Sequence, residues 1–240
     1  MILSGNYTTI DDTFRMYSQR RKIKPTRRSV SGQYPFRGET SIPYESTLER
    51  DFLIIQEADR FVTQILPQPV QLSYVHANGN TYRYTPDYLV FRSGPNSFLK
   101  SHSGKPELVE VKPTSELKAN LGKMRLKFKA ATQFAKQEGF IFRIYDERRI
   151  RTPMLKNLEF LNRYRRFPFT EFDPVELKKI VEVLMTLETP SIDELLAHER
   201  IQSQEFAAAK LWHLIATNTL SCDLCQPLTP HSRIWVDEYE

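Results

Sequence analysis

Cysteine is scarce in this chain: Cys222 and Cys225 are the only two among 240 residues. That number argues against a disulfide framework and agrees with a reducing compartment. A single Cys-x-x-Cys also falls short of a structural zinc site, because His213 before it and His231 after it lie at irregular intervals and no second tight pair exists. Long apolar runs are missing as well. No stretch approaches the roughly eighteen residues of a membrane helix, and the N-terminus lacks the apolar core of a signal peptide. A soluble, intracellular protein is expected. The third absence is local: between Asp12 and Glu39 there is no acid, while Arg15, Arg20, Arg21, Lys22, Lys24, Arg27, Arg28 and Arg37 supply eight positive charges. Tyr17, Tyr34 and Phe36 are interleaved with them. Residues 1–40 have no sustained periodicity, so they read either as a solvated tail or as a basic arm that phosphate contacts would order.

The net charge of +5 hides an asymmetry. From Glu171 to Glu240 there are thirteen acids against five bases, a balance of −8, which leaves +13 on the first 170 residues. A polyanionic partner is expected for the N-terminal part and mainly protein contacts for the C-terminal part.

Hydrophobic residues make up 40% of the chain and aromatics 12%, enough for a packed core. Ser46 or Thr47 can cap a helix over Glu45–Asp59, with Leu48, Phe52 and Ile55 at helical spacing. Phe61–Leu66 and Val70–His76 read as strands. Asn78-Gly79 marks a hairpin turn into a strand over Thr81–Phe91, and a polar loop leads to another strand over Glu107–Lys112. After Pro113 a long basic helix runs to about Glu138, followed by a strand over Phe140–Tyr145 and a helix from Pro153 through Tyr164. This order predicts an α/β core, a mixed sheet flanked by helices, of about 130 residues. Beyond Pro168 and Pro174, helices over Pro174–Met185, from Ile192 through Leu196 and over Ser203–Asn218 precede a small hairpin, Leu220–Leu224 with Ser232–Val236. Three helices and a terminal hairpin predict a small winged-helix domain. The expected division is therefore a basic arm at 1–40, a core domain at 41–168 and a winged helix at 169–240.

One stretch carries chemistry. Tyr84-Thr85-Pro86-Asp87-Tyr88-Leu89-Val90 is followed by Leu108-Val109-Glu110-Val111-Lys112-Pro113. Alternation along the second strand puts Glu110 and Lys112 on one face, with Asp87 delivered from a neighbouring strand. Carboxylates that hold Mg²⁺ (or Mn²⁺ in its place) neutralise a phosphodiester and acidify a water, and a nearby lysine orients or deprotonates that water or stabilises developing charge. The backbone carbonyl of Val111 offers a further hard oxygen, and Glu49 on the preceding helix a third carboxylate. Gln68 is a supporting candidate, near the metal water or the DNA backbone. Lys118, Lys123, Arg125 and Lys127 on the basic helix join Arg20, Arg21, Lys22, Arg27 and Arg28 as candidate phosphate contacts, with a solvated basic face as the alternative. The helix Ser203–Asn218 offers only Lys210 and His213 for reading DNA, fewer cations than such helices carry.

Taken together, Ser46-Thr47-Leu48-Glu49-Arg50-Asp51-Phe52, Gln68-Pro69, the Pro86-Asp87 strand, Val109-Glu110-Val111-Lys112-Pro113 and Asn157-Leu158-Glu159-Phe160-Leu161 resemble the TnsA endonuclease subunit of heteromeric cut-and-paste transposases. The resemblance spans Tyr44 to Tyr164. It implies a restriction-endonuclease-like fold and a Mg²⁺-dependent cut of the 5′ strand at each transposon end. It also implies a DDE integrase partner, TnsB, that makes the 3′ cuts, an ATP-binding regulator, TnsC, and a prokaryotic cytoplasmic location at the nucleoid when active. By position, Glu49 is the helix carboxylate, Asp87 and Glu110 the principal metal ligands, and Lys112 the catalytic lysine. Some relatives carry glutamine where this chain has Glu110. The alternatives are a stand-alone repair or restriction nuclease of the same fold and a non-catalytic DNA-binding regulatory module.

Overall fold

The computed structural model describes residues 30–76, 78–93, 105–166, 168 and 171–237, together with Tyr17. The chain divides into two compact units, Met1–Ile150 and Arg151–Glu240. The boundary falls ahead of the helix that begins at Pro153, so this helix belongs to the second unit and not to the core domain expected over 41–168.

In the first unit an antiparallel hairpin of β1 (Gly32–Phe36) and β2 (Thr40–Tyr44) precedes helix α1 (Thr47–Ala58). The hairpin lies partly inside the stretch read as an arm without periodicity; only Tyr34 and Phe36 alternate inward, too short a signal to recognise. Its turn places both Arg37 and Gly38 at positive φ, the geometry that matches the twist of paired strands. Glu57 of α1 ties the hairpin down, accepting from the Tyr34 hydroxyl and from the Arg37 amide at 2.6 Å.

The central sheet has the order β3 (Val62–Pro67), β6 (Tyr88–Arg92), β7 (Glu107–Val111), β8 (Ile141–Tyr145). The β3–β6 and β6–β7 pairs are antiparallel and the β7–β8 pair is parallel. The parallel pair needs a crossover, which helix α2 (Thr114–Gln137) supplies. Every residue of β6 and β7 is buried. On one face Leu89, Phe91 and Leu108 pack with Ala131 and Ala135 of α2. On the other, Phe52 of α1 stacks on Tyr88 at 5.6 Å between ring centroids and meets Tyr145 edge-on at 5.0 Å. Burying a phenylalanine in this way stabilises by about 2 kcal/mol. At the sheet end opposite Asp87 and Lys112, buried Arg92 pairs with Glu107 at 3.1 Å and Asp59 at 3.5 Å.

The single strand expected over Thr81–Phe91 is two. β4 (Leu72–Val75) pairs with β5 (Thr81–Tyr84) through the Asn78-Gly79 turn in a separate hairpin, while β6 joins the central sheet. The break falls at Thr85-Pro86-Asp87, where proline lacks the N–H that a central strand requires. A one-turn helix α3 (Glu147–Ile150) follows β8. Its Glu147 accepts from the Thr114 amide and hydroxyl, each at 2.7 Å, and so caps α2, whose own N-cap is Pro113. No helix among the described residues is long and apolar enough to cross a membrane.

The second unit contains α4 (Pro153–Arg165), α5 (Pro174–Thr186), α6 (Ile192–Ala197), α7 (Glu199–Gln202) and α8 (Ala207–Ala216), with short strands β9 (Ser221–Cys222) and β10 (Ile234–Trp235) paired antiparallel. Leu161, Ile180, Leu184, Leu195, Leu211, Leu214 and Ile234 form its core. Ser191 and Glu194 close a capping box at α6, where Pro190-Ser191-Ile192-Asp193 signals a helix start. The helix expected from Ser203 begins at Ala207, because Phe206 adopts φ 56°. The Asn157 amide donates to the Leu224 and Gln226 carbonyls at 2.9 and 2.7 Å, anchoring the β9–β10 loop to α4. Lys210 is buried, bonded to Glu176 at 2.8 Å and to the Glu205 carbonyl at 2.6 Å, which removes it from the DNA-reading residues considered. His213 meets the Tyr164 carbonyl at 2.8 Å and His231 meets Asp193 at 3.2 Å. The half-buried Cys222 thiol is pushed up to about 12 by desolvation and by Asp223, while Cys225 is exposed.

Candidate active site

The break between β5 and β6 delivers Asp87. Its N–H donates to the Val109 carbonyl at 3.0 Å and its C=O accepts from the Gln68 amide at 2.7 Å, so the residue is pinned between the end of β3 and β7. Its Oδ2 accepts from the Val111 amide at 2.7 Å. In β7 the two-residue alternation turns Glu110 and Lys112 toward the same side as Leu108, the side covered by α2. The main chain of Lys112 is held by the Tyr145 carbonyl at 3.0 Å, directly before Pro113 and the start of α2.

Asp87, Glu110, Lys112, Gln68, Tyr84 and Lys127 line a cleft of about 380 Å³. Glu110 is 1% exposed and both of its oxygens are engaged. Oε2 accepts from the Tyr84 hydroxyl at 2.7 Å, and Oε1 faces two ammonium groups, Lys127 at 2.9 Å and Lys112 at 3.7 Å. Burial pushes Asp87 well above the ordinary aspartate range, reinforced by the charges of Glu110 and Glu49 and opposed by Lys112 and the Val111 N–H. For Lys112 burial works downward, but Asp87, Glu110, Glu116 and Glu49 outweigh it and raise the ammonium above its usual value. Tyr84 is raised by burial and then by Glu110, which keeps its hydroxyl a donor.

Glu49 approaches from the α1 side and does not line the cleft. Its carboxylate accepts from the Glu45 amide and the Ser46 hydroxyl, each at 2.9 Å, and from the Tyr88 hydroxyl at 3.3 Å. Burial raises it, yet it is near enough to shift both Asp87 and Lys112. Gln68 adopts φ 47°, a left-handed conformation that costs a non-glycine residue on the order of 1 kcal/mol and is common at functional sites. Its Nε2 donates to Glu45 at 3.3 Å, while its buried Oε1 has no hydrogen-bond partner.

The donor set suits a hard cation. Asp87 and Glu110 supply carboxylates, the orphaned Gln68 Oε1 supplies a neutral oxygen, and neither cysteine nor histidine lines the cleft. No three His, Cys, Asp or Glu side chains among the described residues group as a complete metal cage. Mg²⁺ does not require one: it takes one or two carboxylates and fills its octahedron with waters and phosphate oxygens. Val111 lies between Glu110 and Lys112, as the Glu-x-Lys pattern requires, with its N–H held by Asp87.

Residues 59–147 match the family model for the TnsA-like endonuclease N terminal, and residues 149–224 match that for the TnsA endonuclease C terminal. The chain belongs to the TnsA endonuclease family. The two TnsA segments meet next to the boundary between the two compact units. Asp87, Glu110 and Lys112 fall inside the TnsA-like N-terminal match, whereas Glu49 precedes it. No curated protein matches the chain.

Among the candidate phosphate contacts, Lys118, Lys123 and Arg125 are exposed along α2. Lys127 is different: it turns into the cleft, pairs with Glu110 and sits 4.8 Å from the Tyr84 ring centroid. Its place beside Met124 and Phe128, both buried, was the signal that it borders the inner face of the helix. Arg20, Arg21, Lys22, Arg27 and Arg28 lie outside the described residues. The sequence reading missed Tyr84 as a site residue, although it lies on a strand one proline away from Asp87.

Proposed function

We propose that this TnsA-type chain is the Mg²⁺-dependent subunit that cuts the 5′ strands at transposon ends, working with a DDE integrase (TnsB) and an ATP-binding regulator (TnsC) on double-stranded DNA. The first unit is read as a restriction-endonuclease-like nuclease and the second as a winged helix, with the β9–β10 pair as its wing. The observation that carries the reading is the convergence of Asp87, Glu110 and Lys112 on one cleft at one end of the sheet, with Lys112 3.7 Å from Glu110.

Asp87 and Glu110, with the Gln68 carboxamide oxygen, would hold Mg²⁺. When bound, the ion offsets the charge of the phosphodiester and acidifies a water molecule. Lys112 is held as an ammonium by four carboxylates, so its contribution is positive charge beside the phosphate and a proton for the leaving oxygen. Glu49 acts from behind, adding negative charge that keeps Lys112 protonated. Exposed Lys118, Lys123 and Arg125 would contact phosphates along α2.

The test is strand-resolved cleavage of end-labelled transposon-end DNA by the complex of this chain with its integrase and regulator. Wild type is expected to release the 5′ strand in Mg²⁺, while Asp87→Ala leaves only the integrase's 3′ cuts. Persistence of 5′-strand cutting with Asp87→Ala would remove the assignment.

A further inference from the structure

Both oxygens of Glu110 are engaged by other side chains. Tyr84 takes one oxygen and the Lys127 ammonium, at 2.9 Å, takes the other more closely than Lys112 does at 3.7 Å. Lys127 is 17% exposed, and its ammonium lies about as near the rings of Tyr84 and Phe128, 4.8 and 5.0 Å from their centroids. An aromatic cradle of this kind stabilises an ammonium when it is partly desolvated. Lys112 and Lys127 both face Glu110 Oε1, so a divalent ion approaching that carboxylate meets two resident cations.

We propose that Lys127 is a built-in counter-ion of Glu110 that competes with a divalent cation for it, so that loading of the site requires the Lys127 ammonium to leave the carboxylate. Its flexible four-carbon stem is rooted on α2, the helix that carries exposed Lys118, Lys123 and Arg125. A DNA phosphate in the cleft gives the displaced ammonium a new anionic partner. Metal and DNA thereby bind cooperatively, and the site stays poorly loaded until DNA arrives. Lys112, which lies farther from Glu110 and is surrounded by three other carboxylates, does not have to move.

This inference rests on the reading of Asp87 and Glu110 as metal ligands, and the experiment separates the two. The probe is Mn²⁺, titrated by electron paramagnetic resonance into the full-length protein with and without duplex DNA. Lys127→Met keeps the stem and removes the charge; Lys127→Gln keeps a hydrogen-bond donor. Without DNA, both variants are expected to bind Mn²⁺ about tenfold more tightly than wild type, the size of effect that groups bonded to a metal ligand exert. In wild type, DNA should tighten Mn²⁺ binding, and this gain should shrink in both variants. Thermal unfolding in chelator identifies either variant if it fails to fold, and the other then decides. Unchanged or weaker Mn²⁺ binding by the folded variants, with Asp87→Asn and Glu110→Gln losing it, overturns the role of Lys127 alone. If Asp87→Asn and Glu110→Gln bind Mn²⁺ like wild type, the metal-ligand reading itself falls.

Discussion

Asp87 has Glu110 and Glu49 as negative neighbours and one oxygen tied to the Val111 amide. Its folded-state pKa is raised, so whatever stability its protonated form contributes is complete below the ordinary aspartate value and is lost as pH rises through the raised one. Above the ordinary aspartate value the group therefore weighs against the metal-free fold. Asp87→Asn, which can still accept from Val111, is expected to gain about 1 kcal/mol in chelator at neutral pH, or roughly 2–4 °C in melting temperature. The gain should disappear when unfolding is measured below the ordinary aspartate pKa, and saturating Mg²⁺ should stabilise wild type but not the variant. That Glu110 and Lys112 share one side was legible in the sequence, because strand alternation alone puts them there. Tyr84 and Lys127 were not, since their contacts with Glu110 depend on how a hairpin and a helix close over the sheet. Periodicity does not carry that information.

Helix α1 places Glu49, and Ser46 starts that helix. The Ser46 hydroxyl accepts from the Glu49 amide at 3.1 Å and donates to the Glu49 carboxylate at 2.9 Å. Ser46→Ala is expected to cost about 1 kcal/mol in chemical denaturation and to lower cleavage by releasing Glu49. An unchanged midpoint would show that the cap is unimportant. The elements with strong signals were readable: α1 from its cap and apolar spacing, α2 from its length, and β4–β5 from Asn78-Gly79. The split of β5 from β6 was less apparent because Thr81–Phe91 is rich in strand formers throughout. Pro86 decides the matter, and the split is what sets Asp87 on the wall of the cleft. The β1–β2 hairpin escaped notice because Glu57, twenty residues beyond Arg37, supplies the contacts that hold it.

Over the whole chain, the charge asymmetry predicts where nucleic acid binds. Replacing exposed Lys118, Lys123 and Arg125 together by Ala should lower DNA affinity and reduce the slope of log affinity against log salt by about 3, one for each lost phosphate contact. The same change at exposed Lys178 and Lys179 of the acidic unit should leave the slope unchanged. Burial of Lys210 against Glu176 supports this division by leaving α8 with few cations to offer DNA. The overall order of elements was visible in sequence, but the boundary was not. The helix at Pro153 follows the sheet after only the short α3, and what assigns it to the second unit is long-range: the packing of Leu161 with Ile180 and Leu214 and the hydrogen bonds of Asn157 to the Leu224 and Gln226 carbonyls. The central claim is that Asp87, Glu110 and Lys112 form the hydrolytic centre, and single-turnover 5′-strand cleavage by the reconstituted complex tests it most directly. Lys112→Ala is expected to fold and assemble normally yet cut about 10³-fold more slowly in saturating Mg²⁺, the loss typical of removing one group that stabilises a transition state. A rate within a few-fold of wild type would contradict the account.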